Sequence, residues 1–220
     1  MLRYHMKTQI NKKMKNYIEV DYLDLVNDVK DIYWNHILPI GKFSVVNEKV
    51  TGRYVRPGFQ VSSVFIDEQS LTHQPLRLLL NKYTFLARHL LIISVDPGAI
   101  SPIHLDGADP GRRRPISCGI PITGCDTNCK TEFFDIPPDD FWLCDSTKTR
   151  WVKENVETPK IDEYTLTDNP IIMNPQIPHR VNNLTGTVHR LTVNWTVNTN
   201  WKFNNAVDYF QSENKIISTI

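Results

Sequence analysis

Apolar positions recur along this chain with two different periods, and the change falls near Leu90. Between Asp21 and Leu38, residues Leu25, Val26, Val29, Ile32 and Tyr33 fall on one stripe, with Asp24, Asn27, Asp28 and Lys30 largely opposite. That spacing predicts an amphipathic helix, and Pro39 and Gly41 end it. Short β-favouring runs follow at Phe43–Val46, Val50–Val55 and Val61–Ile66. Leu76, Leu79, Leu80, Tyr83, Leu86 and Ala87 then return to helical spacing, which predicts a second helix over Pro75–Leu90, with Pro75 in the tolerated first turn.

Beyond Leu90 the runs are short, rich in β-branched and aromatic residues, and cut by Pro, Gly, Asn and Asp. They are Leu90–Val95, Ile116–Ile122, Thr131–Phe134, Phe141–Leu143, Tyr164–Leu166, Pro170–Met173, His179–Val181 and Val188–Val197. About eight strands after a helical beginning predict a mainly β fold with flanking helices (α+β), a jelly-roll-like barrel buttressed by helices. The expected organisation is one domain over 1–220: a helical and short-strand buttress at 1–89, the β core at 90–200 and a tail at 201–220. The tail has weak helical patterning around Ala206, Val207 and Phe210.

Composition narrows the function classes. Hydrophobic residues are 40% and charged residues 22% of the 220, which suits a soluble globular protein with a sizeable core. A net charge of +1 provides no global field toward nucleic acid or a membrane surface, and no apolar run approaches the roughly 20 residues of a membrane span. The basic stretch Met1–Lys15, with Lys7, Lys12, Lys13 and Lys15, lacks the apolar centre of a secretory signal and is expected to be a loose arm or the start of a helix. A cytoplasmic location follows as an expectation, with Cys118, Cys125, Cys129 and Cys144 reduced. Zinc binding by these four is disfavoured, because their spacing is unlike paired C-x₂-C ligands.

The stretch Ser101-Pro102-Ile103-His104-Leu105-Asp106-Gly107 carries the first candidate chemistry. In an extended segment His104 and Asp106 project to one side, so an imidazole and a carboxylate can reach the same ion. A third ligand is offered by His179, held between Pro178 and the strand that follows. Two histidines and one carboxylate form the facial set that suits non-haem Fe(II) and leaves positions open. Alternation in Val188–Val197 puts Arg190, Thr192 and Asn194 on one face and Leu191, Val193 and Trp195 on the other. Arg190 then offers a guanidinium fork, and Thr192 a hydroxyl, to a carboxylate ligand. His189 competes with His179 for the third position, but alternation turns it off the Arg190 face. Arg112-Arg113-Arg114 lies just past Asp106 and reads either as a solvated basic loop or as a contact for an acidic substrate.

His104-Leu105-Asp106, then His179, then Arg190-Leu191-Thr192 resembles the HxD…H…RxT signature of the Fe(II)/2-oxoglutarate-dependent dioxygenases, over roughly Leu90 to Val197. The resemblance implies a double-stranded β-helix (jelly-roll, cupin-like) core. It implies Fe(II) held by His104, Asp106 and His179, and 2-oxoglutarate held at its distal carboxylate by Arg190 and Thr192. It implies consumption of O₂ with release of succinate and CO₂, and hydroxylation of an amino-acid, peptide or small-molecule substrate. The competing expectation is a cupin-like metal- or ligand-binding module without redox chemistry, and the feature that separates the two is Arg190 with Thr192.

Overall fold

A computed structural model describes residues 16–38, 44–45, 58–106, 114–123, 127–143, 149–153 and 156–218. Fourteen strands among these form two sheets. In chain order they are β1 (Tyr17–Val20), β2 (Ser44–Val45), β3 (Phe59–Phe65), β4 (Leu86–Val95), β5 (His104–Leu105), β6 (Ser117–Thr123) and β7 (Lys130–Phe134). There follow β8 (Phe141–Leu143), β9 (Arg150–Val152), β10 (Lys160–Thr165), β11 (Ile171–Met173), β12 (His179–Asn182), β13 (Arg190–Val197) and β14 (Ile216–Ser218). The larger sheet runs β14-β1-β11-β6-β13-β4-β3-β2, and the smaller runs β10-β7-β12-β5-β9-β8.

Eight of these strands make the barrel. Taken in order as β4, β5, β6, β7, β10, β11, β12 and β13, the first pairs with the eighth, the second with the seventh, the third with the sixth and the fourth with the fifth, all antiparallel. That is one long hairpin wound on itself, the jelly-roll or double-stranded β-helix arrangement. Every connection in this order except β7–β10 crosses between the sheets, among them β4–β5, β6–β7, β10–β11 and β12–β13. They stack β4 over β5, β13 over β12, β6 over β7 and β11 over β10.

Three helices back the larger sheet: α1 (Leu23–Ile32), continued by a π-helical turn at Tyr33–Ile37, α2 (Gln74–Lys82) and α3 (Phe203–Ser212). Leu25, Val26 and Val29 of α1, Leu76 and Leu79 of α2 and Phe210 of α3 bury against Leu90, Ile92, Leu191, Val193 and Trp195. The apolar face of β13 therefore belongs to the helix side, and its polar face is left to line the barrel. A smaller cluster of Phe59, Ile93, Val95, Ala99, Cys129 and Val181 fills one end of the barrel interior. Among the described residues no helix is long and apolar enough to cross a membrane.

The expected helix over Pro75–Leu90 is corrected: α2 stops at Lys82, and Leu86 already begins β4. Leu86 and Leu90 are four residues apart, which is one face of a helix and also one face of a strand, so periodicity cannot separate the two. Both side chains do reach the same core, but from a strand. The strand expected at Tyr164–Leu166 lies earlier, at Lys160–Thr165. The expected strand Val50–Val55 and the arm Met1–Lys15 lie outside the described residues. The short strands β1, β9 and β14 have too few residues to show a period.

Candidate metal centre and anion pocket

His104 lies on β5 and His179 opens β12, and the two are directly opposite partners in the antiparallel ladder. Opposite residues share a face and bring their Cβ atoms within about 5.5 Å, and the two imidazole centroids lie 4.5 Å apart. Asp106, two residues past His104, returns to the same side, with its Oδ1 3.3 Å from His104 Nε2. One ligand atom from each of His104, Asp106 and His179 lies within 4.8 Å of the others.

Backbone carbonyls set the chemistry of both rings. Nδ1 of His104 is 2.9 Å from the carbonyl oxygen of Pro102, and Nδ1 of His179 is 2.9 Å from that of Ile177. A carbonyl only accepts, so each Nδ1 carries a proton, and Nε2 is the nitrogen through which either ring in its neutral form would bind a metal. Two imidazole lone pairs and one carboxylate then converge, a donor set that fits a divalent first-row metal. Burial, followed by the neighbouring His104, pushes His179 down to about 4, so its ring is neutral at physiological pH. Burial pushes the Asp106 carboxyl up, but His104, His179 and Arg114 outweigh it and hold the group below the usual carboxylate range.

Arg114 is the main departure from the sequence reading. It is 4% exposed and does not belong to a solvated basic loop. Its Nη1 donates to Asp106 Oδ2 at 3.2 Å, and its Nη2 donates to Ser117 Oγ at 2.8 Å and to the Asn194 carbonyl at 2.6 Å. Asp106 thus keeps one oxygen toward the histidines while the other is held by a cation anchored to β6 and β13. Gln176 ties this corner together by donating to the carbonyls of Asp106 (2.7 Å) and Arg114 (3.3 Å). No local pattern marked Arg114, which closes a run of three arginines just before Pro115. Arg112 and Arg113 lie outside the described residues.

Arg190 opens β13 on the barrel-facing side and is 4% exposed. Its Nη1 lies 3.4 Å from Thr131 Oγ1 and 3.8 Å from Cys129 Sγ, its Nη2 lies 3.5 Å from Thr131 Oγ1, and its Nε has no partner. No ion pair among the described residues includes Arg190. Among the described residues the five donors of this buried cation therefore meet only neutral groups, the Thr131 hydroxyl and Cys129 thiol at long range and the Tyr164 phenol. The phenol of Tyr164 reaches the same Thr131 and Arg190, and burial raises its pKa. Thr192, 1% exposed, follows on the same face. Register connects this pocket to the histidines: Thr131 and Phe133 alternate to one face of β7, and Phe133 is the ladder partner of His179. Two residues along a strand span about 7 Å, so the guanidinium sits roughly one such step deeper in the barrel.

His189 is placed elsewhere. Its Nε2 meets Ser94 Oγ at 2.8 Å and lies 3.5 Å from Asp96, on a half-exposed rim. Cys118 and Cys129 are buried cysteines, and among the described residues His104, Asp106 and His179 form the one cluster able to hold a metal. Thr131 and Tyr164 carried no pattern that marked them in advance.

Burial also holds His89, on β4, down to about 4. For His179 and His89 the folded pKa lies below the ordinary 6.5, so protons bind the unfolded chain first as pH falls. Their contribution to stability is complete above about pH 6.5 and is lost as pH falls toward 4. The urea midpoint of metal-free protein should drop between pH 7.5 and 5, and His89→Gln should flatten the dependence. A midpoint that stays level across that range would contradict the buried neutral rings.

No protein-family model matches the chain, and no curated protein matches it in sequence. Solved structures do align with it. A prolyl-4-hydroxylase of Pseudomonas putida is 14% identical, over 84% of this chain and 94% of that one, with a TM-score of 0.42. A prolyl hydroxylase of Trichoplax adhaerens, in complex with a peptide fragment of the hypoxia inducible factor oxygen degradation domain, is 11% identical over 84% of each chain, with a TM-score of 0.45. The epimerase SnoN, in complex with Fe3+, alpha ketoglutarate and nogalamycin RO, is 11% identical over 83% of this chain and 78% of that one, with a TM-score of 0.48.

Proposed function

We propose that this protein is an Fe(II)- and 2-oxoglutarate-dependent oxygenase that hydroxylates an amino-acid, peptide or small-molecule substrate. The observation that carries the reading is the coexistence, inside one barrel, of the His104–Asp106–His179 cluster and a buried Arg190 with no acid to pair with among the described residues. A non-redox cupin-like module needs the first feature only. A buried unpaired cation is expensive to maintain and calls for an anionic ligand.

In this reading His104 and His179 present Nε2 to the metal while their carbonyl partners fix the rings. Asp106 supplies one oxygen, and Arg114 restrains the other. Arg190, with Thr131, Tyr164 and Thr192 around it, binds the distal carboxylate of the 2-oxo acid by charge-assisted hydrogen bonds. Iron bound here supplies the O₂-dependent oxidation that the protein cannot perform with side chains alone, with 2-oxoglutarate leaving as succinate and CO₂. The barrel contributes geometry and exclusion of water.

Mixing the protein with Fe(II) and 2-oxoglutarate in the absence of oxygen tests this directly. A visible metal-to-ligand charge-transfer band is expected, with succinate appearing once oxygen is admitted. His104→Ala and His179→Ala should each abolish the band. A protein that gives neither band nor succinate is not this enzyme.

A further inference from the structure

Both sheets extend past the barrel on the same side. The larger sheet adds β3 and β2 beyond β4, and the smaller adds β9 and β8 beyond β5. Since β4 stacks over β5, the extension β3–β2 and the extension β9–β8 lie on the same side of the barrel, beside the strand that carries His104.

Ladder register shows which described residues share the inward faces of these extensions. On the smaller sheet Trp142 is opposite Trp151, Trp151 is opposite His104, and His104 is opposite His179. Directly opposite residues share a face, so the two indoles continue the row of the metal-facing histidines outward. Trp151 lies against His104 with centroids 5.1 Å apart, and Trp142 at the rim is 38% exposed.

The larger sheet offers a second aromatic wall. On β3, Phe59 and Val61 pack into the barrel's inner cluster, and Phe65 alternates to the same face. Phe65 is opposite His89 and stacks on it with centroids 4.4 Å apart and planes 22° apart. His89 is fixed by Ser63 (3.0 Å) and Thr196 (3.1 Å). Thr196 is opposite Ser117, which accepts from Arg114, which donates to Asp106. Phe65 is therefore on the row that ends at the Asp106 side of the metal cluster.

Stacked sheets lie about 10 Å apart, and their side chains ordinarily interdigitate and hide one another. Here they do not: Phe65, on an inward face, is 67% exposed. Phe65 and the partly exposed Trp142 together leave aromatic surface uncovered on the inward faces of both extensions, and grouped apolar exposure of that kind marks a ligand site. A second observation points to a ligand: the indole Nε1 of Trp151 is buried and has no hydrogen-bond partner, in a residue only 7% exposed. Among the described residues, charge narrows the chemistry. Asp106 and Arg114 are paired with each other, Arg88 pairs with Glu68 on the other face of β4, and Arg150 alternates away from Trp151. Both nitrogens of His89 are engaged, and burial keeps the ring uncharged at neutral pH.

We propose that the cleft between the β3–β2 and β9–β8 extensions is the substrate channel, and that it takes an uncharged ring-bearing group with a hydrogen-bond acceptor at its edge. Phe65 and Trp142 hold the ring by its faces, and Trp151 Nε1–H donates to the acceptor. Only the fate of the bound group rests on the oxygenase reading; its binding does not.

The test is saturation-transfer NMR on the full chain with Mn(II) added, so that paramagnetic broadening reports proximity to the metal. The probes are N-acetyl-tyrosinamide and N-acetyl-prolinamide, with N-acetyl-leucinamide and phenylacetate as acyclic and charged controls. Both ring amides should bind and broaden, and both controls should bind at least several-fold more weakly. The tyrosinamide and prolinamide arms distinguish an aromatic from a saturated ring. Phe65→Ala, at an exposed position that leaves the core intact, should weaken the ring amides on the order of tenfold. Trp151→Phe keeps a ring but removes the donor, and should erase the preference for N-acetyl-tyrosinamide over 4-ethylphenol, which has the ring without the amide. Equal binding of leucinamide, or an unchanged affinity in Phe65→Ala, overturns the proposal. Ring binding without a charge-transfer band would retain the cleft and remove the oxygenase, whereas a band without ring binding would do the reverse.

Discussion

Replacing Arg190 with methionine should weaken 2-oxoglutarate binding on the order of 10²–10³-fold, and yet raise the stability of the ligand-free protein. The two effects have one cause. Arg190 is buried with an unpartnered Nε and, among the described residues, only the neutral groups of Thr131, Cys129 and Tyr164 beside it. Removing one member of a buried, hydrogen-bonded charge pair costs about 3–5 kcal/mol, which sets the loss when the ligand carboxylate is present. Without the ligand there is no pair to break, and an apolar side chain of similar length relieves an uncompensated charge, a gain of about 1–3 kcal/mol. Anaerobic titration with 2-oxoglutarate and urea denaturation of the ligand-free protein measure the two halves. A variant that binds the diacid as tightly as the parent removes Arg190 from the anion pocket.

Arg114→Ala should behave in the opposite way. Arg114 has an acid partner, so its loss leaves Asp106 buried beside only the two histidines and strands the acceptors on Ser117 and Asn194. The expected cost to the metal-free protein is about 3–5 kcal/mol. Saturating Mn(II) should restore part of it, because a cation at the cluster again neutralises the carboxylate and stabilises the state that binds it. Arg114→Lys should recover less than the full effect: an ammonium supplies the charge but not the fork that reaches three acceptors at once. Equal urea midpoints for Arg114→Ala and the parent would show that the Asp106 contact has no energetic weight.

The contrast between these two arginines explains how much of the site was legible in advance. Arg190 stood on an alternating strand whose other face was Leu191, Val193 and Trp195, so its direction followed from the pattern, and those three residues do pack against the helices. Arg114 closed a run of three arginines beside a Gly-Pro loop, a context that usually means solvent. Its burial depends on β13 and β6 lying beside the end of that loop, which is a property of strand order and not of the local pattern. The same limit separates α2 from β4. Leu86 and Leu90 suit both periods, and the decision fell to the pairing of Leu90 with Trp195 and of Ile92 with Val193 on β13.

By itself the sequence determined the alternation that turns His104 with Asp106, and Arg190 with Thr192, to one side of their strands, because side-chain direction along an extended backbone depends only on the count of residues. It also determined the helical stripe of α1, for the same reason at a period of 3.6. Only the tertiary structure decided that β12 lies beside β5, so that His179 faces His104 across the ladder from 75 positions away. It alone decided that Arg114 holds Asp106, and that Arg190 has no acid beside it among the described residues. Those outcomes depend on which strands become neighbours when the long hairpin winds on itself, and neighbours in space owe nothing to proximity along the chain.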